Sequence, residues 1–227
     1  MTRILLTGSS RGIGAAIFAA LDTPGTRIAG HGTASGIAAD FSDPDAPARL
    51  WDMALEQLGG IDVLVNNAGV YSANPIHGDD SAWSANWERT MRINLTAAAD
   101  LSRRAVRHWQ ASGTGGRIVN IASRAAHRGD GPDFWDYAAA KAGMVALTKT
   151  IARAYAAKGI YAFAVCPGFV DTDMAGGHIG PTLLAEIPLG RVAAPDEVAE
   201  MARWLALDAP ASMTGAVLDV NGASYVR

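Results

Sequence analysis

Strand-length apolar runs alternate with helix-length amphipathic ones along the whole chain. "RILLTG" (3–8) reads as a buried strand and "GIGAAIFAALD" (12–22) as a helix. "TRIAG" (26–30) is a second strand and "GIAAD" (36–40) a candidate third. A helix is expected over 45–59, a strand over 61–69, and a long helix, with room for a bend, over 81–110. A strand over 116–123, a long helix over 133–159, a strand over 160–168, a helix over 195–207 and a last strand over 216–222 complete the series. Strands that alternate with helices call for an α/β fold, a parallel sheet covered on both faces. With 227 residues, 49% of them hydrophobic, the chain suits one compact domain over 1–227. It shows no repeat, low-complexity tract or linker.

One link breaks the pattern. "HGTASG" is all that joins the second and third strands. A parallel crossover normally takes a dozen or more residues. Either the third strand is nearly lost, or a loop crosses without a helix.

The first strand runs into "TGSSRGIG", Thr7 to Gly14, and then into a helix. Glycines at such a turn let the backbone approach a pyrophosphate, which rests on the helix N-terminus. The spacing is G-x-x-x-G-x-G, and its place in the first strand–helix unit points to a dinucleotide. Gly8, Ser10, Arg11, Gly12, Ile13 and Gly14 are the expected contacts. An acid at the end of the second strand would hold the ribose 2′-hydroxyl of NAD. That strand ends instead in Gly30, His31, Gly32 and Thr33, and Arg11 lies inside the phosphate turn. A base with no acid opposite it tolerates a 2′-phosphate, so NADP(H) is favoured over NAD(H). The alternative for Arg11 is an exposed turn residue.

Tyr137 and Lys141 stand four residues apart in "YAAAK", hence on one helix face. The ordered set "TGSSRGIG", "NNAG" (66–69), Asn94 in "RINL", Ser123 after "RIVNIA", "YAAAK", "CPGFVDTDM" (166–174), "PLGRVAAPDEVA" (188–199) and "TGAVLDVNG" (214–222) resembles the short-chain dehydrogenase/reductase family. Its pattern is close to the bacterial 3-oxoacyl-carrier-protein reductases, over essentially the whole chain. The resemblance implies a three-layer, Rossmann-type doubly wound sheet of about seven parallel strands. It also implies an NAD(P)(H)-dependent enzyme that interconverts a secondary alcohol and a ketone.

A tyrosine is a poor base at neutral pH, with an ordinary pKa of about 10. A nearby ammonium favours the phenolate, so Tyr137 is expected to move the proton, with Lys141 lowering its pKa. By resemblance, Lys141 also holds the nicotinamide ribose. Ser123 hydrogen-bonds the substrate oxygen, and Asn94 holds a water linking Lys141 to solvent. Asn67, Ala68, Gly69, Pro167, Gly168, Val170 and Thr172 are expected along the cofactor, with His31 and Asp40 toward its adenosine end. Each residue has a plainer reading: a core aromatic, a solvated lysine, a strand-end serine, an asparagine bonded to local backbone.

Substrate signals are thinner. Tyr71, Phe134, Trp135, Phe169 and Met174 flank the motifs and are candidates for an apolar pocket. Arg124, His127 and Arg128 follow Ser123, and could attract an anionic substrate or a carrier phosphate. The segment after "DTDM" looks short for a substrate lid, and "HRGDGP" adds room between Ser123 and Tyr137. Trp83 and Trp87 read as a helix-packing pair.

The net charge of −3, without a Lys/Arg-rich run, argues against nucleic acid and membrane surfaces. No run approaches the roughly 20 apolar residues that span a bilayer. The opening "MTRILLTG" enters a strand and turn directly, so no secretory leader is expected. The lone Cys166 reads as a small buried hydrophobe, compatible with a reducing cytoplasm. No histidines pair at metal-ligand spacing, and no metal is expected. The two long helices carry more apolar surface than a monomer need bury, and the family pairs such helices, so a homo-oligomer, dimer or tetramer, is expected. The competing readings are a 3-oxoacyl-carrier-protein reductase and a non-catalytic dinucleotide-binding protein.

Overall fold

The computed structural model describes residues 1–172 and 180–226. Seven strands form one parallel sheet: β1 (Thr2–Leu6), β2 (Thr26–Gly32), β3 (Ile37–Ala38), β4 (Val63–Asn66), β5 (Gly116–Ile121), β6 (Ile160–Pro167) and β7 (Val217–Val220). Their spatial order is β3-β2-β1-β4-β5-β6-β7, with every pairing parallel. The order reverses between β1 and β4, and at such a switch point the loops leaving the carboxyl ends part and open a crevice.

Successive strand residues point to opposite faces, and both faces are apolar. Leu5, Leu64, Ile118 and Ala162 pack under α2 (Ala46–Leu58), α4 (Ala97–Ser112) and the C-terminal part of α6 (Trp135–Tyr155). Ile4, Leu6, Val63, Val65, Val119 and Phe163 pack under α1 (Gly12–Leu21) and α8 (Pro195–Leu207). The three-layer, doubly wound arrangement therefore follows from strands that are apolar on both sides.

The predicted long helix over 81–110 is three pieces. α3 (Asp80–Met91) and α4 flank a π-helical turn over Arg92–Thr96, closed by the Ala97 N–H on the Arg92 carbonyl. Two short helices that the apolar periodicity does not reveal, α5 (Ala125–Arg128) and α7 (Pro181–Ala185), sit in loops at the carboxyl end of the sheet. The second parallel link resolves as both alternatives at once. β3 shrinks to two residues, paired His31 to Ile37 and Gly32 to Ala38, and Thr33–Gly36 crosses without a helix. Gly36 makes the turn possible: its φ is +65°, and a Cβ there would lie 2.2 Å from the Gly30 carbonyl oxygen.

Candidate active site

The loops leaving β1, β4, β5 and β6 enclose a cavity of about 540 Å³. At one end lies the turn from β1 into α1. Gly14 is indispensable to its shape, since a Cβ there would fall 1.8 Å from the Gly8 carbonyl oxygen. Asn67 braces the turn, its Nδ2 donating to the carbonyls of Thr7 at 3.1 Å and Gly8 at 2.9 Å. Thr7 Oγ1 accepts from the N–H groups of Asn67 and Ala68. The α1 N-terminus has no side-chain cap and no acid in its first turn. Its free N–H groups open onto the cavity beside Arg11, which is what a pyrophosphate needs.

His31 is nearly buried and stacks on Phe41 at 4.4 Å. Its Nδ1 accepts from the Gly8 N–H at 3.2 Å, which leaves Nε2–H to donate to the Ala39 carbonyl at 3.0 Å. Burial lowers its pKa, so the ring is a neutral strut holding β2, the turn and the chain after β3 together. Ser10, Gly12, Ile13, Asp40, Ala68, Gly69, Pro167, Gly168, Val170 and Thr172 all line the cavity. Thr33, Phe41 and Arg89 line the same end and escaped the sequence reading. They come from the shortened link, the loop after β3 and α3, none of which carries a motif.

At the other end Ser123, Tyr137 and Lys141 converge. Ser123 follows β5, and its hydroxyl favours the Tyr137 phenolate, though less than burial disfavours it. Lys141 Nζ donates to the Ile121 carbonyl at 2.8 Å and lies 5.7 Å from the centre of the Tyr137 ring. Lys141 does not set the net direction of the Tyr137 shift. Burial dominates, and pushes the phenol up to about 12 and the ammonium down to about 8. Tyr137 is thus held as a proton donor.

Asn94, at the π-helical turn, spans the loop after β4. Its Oδ1 accepts from the Val70 N–H and its Nδ2 donates to the Val70 carbonyl, both at 2.8 Å. Both of these bonds run to backbone, and each amide atom keeps capacity for a further one. Gly69 stands between it and Lys141, because a Cβ there would meet Asn94 Oδ1 at 3.3 Å and Lys141 Nζ at 3.6 Å.

The cavity wall beside Tyr137 is aromatic. Phe134 stacks on Tyr71 with centroids 4.1 Å apart, and Tyr71 meets Tyr137 edge-on at 4.8 Å. Burial raises the Tyr71 pKa, reinforced by the Asp130 charge. Phe169 lies under the Arg124 guanidinium at 4.5 Å. Trp135 corrects the prediction: it is 54% exposed and does not line the cavity. Two residues before Tyr137 it is turned about 200° around the helix, so the two cannot share a face. Met174 lies outside the described residues. Leu183 and Asp130 also reach the cavity; α7 and the turn after α5 bring them there, with no apolar period to announce them.

Of the three basic residues after Ser123, only Arg124 reaches the cavity. Arg128 pairs with Glu186 at 3.6 Å. His127 turns to Cys166, with Nε2 3.7 Å from Sγ. The ligand atoms of His127, Cys166 and Asp219 lie within 4.8 Å of one another. Three separate elements supply them, so spacing along the chain could not show the cluster.

An uncapped, glycine-cradled helix start and a Ser–Tyr–Lys group at opposite ends of one crevice define a nicotinamide-dinucleotide oxidoreductase acting on hydroxyl or keto groups. A family profile described as enoyl-(acyl carrier protein) reductase matches residues 14–223. A cis-4-hydroxycyclohexanecarboxylate dehydrogenase of Sinomonas cyclohexanicum is 38% identical, over 96% of this chain and 94% of its own. A 3β-hydroxysteroid dehydrogenase of Eggerthella lenta is 35% identical, over 96% and 92%. A 3-oxoacyl-[acyl-carrier-protein] reductase of Vibrio cholerae is 33% identical, over 98% and 96%. The chain belongs to the short-chain dehydrogenase/reductase family and is an enzyme of that family acting on CH–OH donors.

Proposed function

We propose that the enzyme is a carbonyl reductase and secondary-alcohol dehydrogenase of small molecules that prefers NADP(H). The observation that carries this reading is the convergence of Ser123, Tyr137 and Lys141 on an aromatic-walled cavity whose far end is the phosphate turn. The glycine cradle and uncapped α1 fit the dinucleotide, with Gly8, Gly12 and Gly14 allowing its approach. Asn67, Gly69 and Thr172 flank it, and Lys141 takes its ribose. The nicotinamide, when bound, supplies or accepts the hydride. Ser123 donates a hydrogen bond to the substrate oxygen. Tyr137, protonated at neutral pH, delivers its proton to that oxygen in reduction; in oxidation the phenolate form of the same side chain takes the alcohol proton. Arg11 beside the turn, with no acid at the end of β2, supports the NADP(H) preference.

A panel of cyclic ketones and β-keto esters tests the reading, with absorbance at the NAD(P)H band as readout. The expected outcome is turnover with NADPH at a kcat/KM at least tenfold above NADH. Tyr137→Phe should lower kcat at least 10³-fold while keeping nucleotide binding; a retained rate removes Tyr137 from its role. Turnover of β-ketoacyl thioesters far above every free ketone would favour the acyl-carrier reading instead. Nucleotide binding without any turnover would favour the non-catalytic one.

We further propose a single domain, a cytoplasmic setting and a homo-oligomer. No helix among the described residues is long and apolar enough to cross a membrane. The oligomer reading is supported by α3, which buries only Thr90 and leaves the stacked Trp83–Trp87 pair partly exposed. A monomer by light scattering would refute it.

A further inference from the structure

We infer that Arg124 is the seat of a substrate carboxylate, so that the ketone or alcohol taken by this site carries an acid group. The inference rests on the dehydrogenase reading above and narrows it to a substrate class. Arg124 directly follows Ser123, and its N–H donates to the Pro167 carbonyl at 2.9 Å, which ties it between the ends of β5 and β6. The side chain is 7% exposed, lines the cavity and lies over the Phe169 ring. Its Nη1 is buried and has no hydrogen-bond partner among the described residues.

The other arginines with charged partners show what is missing. Arg3, Arg49, Arg103, Arg104, Arg128, Arg191 and Arg203 each meet a carboxylate within 4.0 Å, at or near the surface. Among the described residues Arg124 meets none at that distance, although its burial makes an uncompensated charge most costly there. The acids around it are otherwise engaged. Glu186 has Arg128, and Asp130 is exposed and accepts the Gly131 N–H at 2.9 Å. A guanidinium fork matches a carboxylate with two parallel hydrogen bonds. Beside it, Tyr71, Phe134 and Phe169 offer an apolar surface. The ligand that satisfies both is a compact apolar skeleton with a carboxylate at one end and the reacting carbon at the other. A phosphate on a carrier arm would instead meet cations at the rim, not one sunk in the wall beside Ser123.

The test compares 4-oxocyclohexanecarboxylate with its methyl ester as substrates of the wild-type enzyme with NADPH. It also compares cyclohexanecarboxylate with cyclohexanecarboxamide as ligands of the enzyme–NADPH complex, by calorimetry. The acid should exceed the ester about 30-fold in kcat/KM, and the carboxylate should bind at least tenfold more tightly than the amide. Arg124→Gln should collapse both ratios below threefold, and Arg124→Lys should restore part of them; NADPH binding checks that both variants are folded. Equal use of acid and ester, with ketones reduced normally, overturns the carboxylate seat and leaves the dehydrogenase reading standing. If no ketone is turned over, the dehydrogenase reading fails, and the carboxylate–amide comparison still decides what Arg124 binds.

Discussion

Tyr137 and Lys141 lie one turn apart on α6, and burial acts on them in opposite senses. The ordinary value of a lysine is 10.5, and Lys141 folds to about 8. Between those values the unfolded chain holds a proton that the folded one lacks, so stability rises with pH across the window. At about 1.4 kcal/mol per pH unit the full effect is about 3 kcal/mol. Tyr137 opposes it only above pH 10, where its raised folded value makes stability fall as pH rises. Lys141→Met should therefore flatten the rise of the ligand-free protein's urea midpoint between pH 8 and 10. Wild-type and variant curves that run parallel there would sink the assignment. The sequence shows the Tyr–Lys spacing but not the desolvation, because burial at 137 and 141 depends on β5, β6 and the loop after β4. The same limit separates Phe134 from Trp135. Phe134 precedes the helix with φ −128° and ψ 36°, so no helical phase read along the chain predicts that it turns to Tyr71 while Trp135 turns to solvent.

Elements hold the site at two places that carry no motif. The π-helical turn at Arg92–Thr96 puts one extra residue into the long helix, and Asn94 uses it to clamp Val70. Apolar spacing over 81–110 shows the helix and hides the turn, since one added residue shifts the phase without breaking the amphipathic pattern. Behind the site, a buried chain of polar groups fixes α6 against the sheet. Asn66 Nδ2 donates to Asn120 Oδ1 at 2.8 Å, Asn120 Nδ2 to Thr148 Oγ1 at 2.8 Å, and Thr148 Oγ1 to the Met144 carbonyl at 2.8 Å. Asn120→Ala leaves the Asn66 amide without this acceptor and Thr148 Oγ1 without its donor, at a cost of about 2–4 kcal/mol. Urea unfolding should show that loss. kcat should fall as well, since the helix that carries Tyr137 and Lys141 loses its tie to β5. An unchanged midpoint would mean that the network contributes nothing to stability.

At the scale of the whole molecule, the alternation of apolar runs was enough to predict a parallel sheet with two covered faces, and the ordered motifs to place the crevice at its carboxyl edge. The β2–β3 edge was legible only as a conflict between link length and crossover length, because no helical crossover is there to leave a period. The crevice has a mechanical consequence. Its lining comes from the β1–β2–β3 side, through Gly8, His31 and Thr33, and from the β5–β6 side, through Ser123, Pro167 and Thr172. A ligand that fills it bridges two halves of the sheet, which otherwise meet through the short β4 and its neighbours. Any ligand that binds only the folded state stabilises it by mass action, by about 2.7 kcal/mol at a hundred times its Kd. For a chain of this length that is about 5–10 °C in melting temperature. NADPH should produce this shift at a lower concentration than NADH. Gly14→Ala should abolish it, because the added Cβ cannot share space with the Gly8 carbonyl without opening the turn that receives the pyrophosphate. A full NADPH shift in Gly14→Ala would mean that the dinucleotide does not rest on the α1 N-terminus.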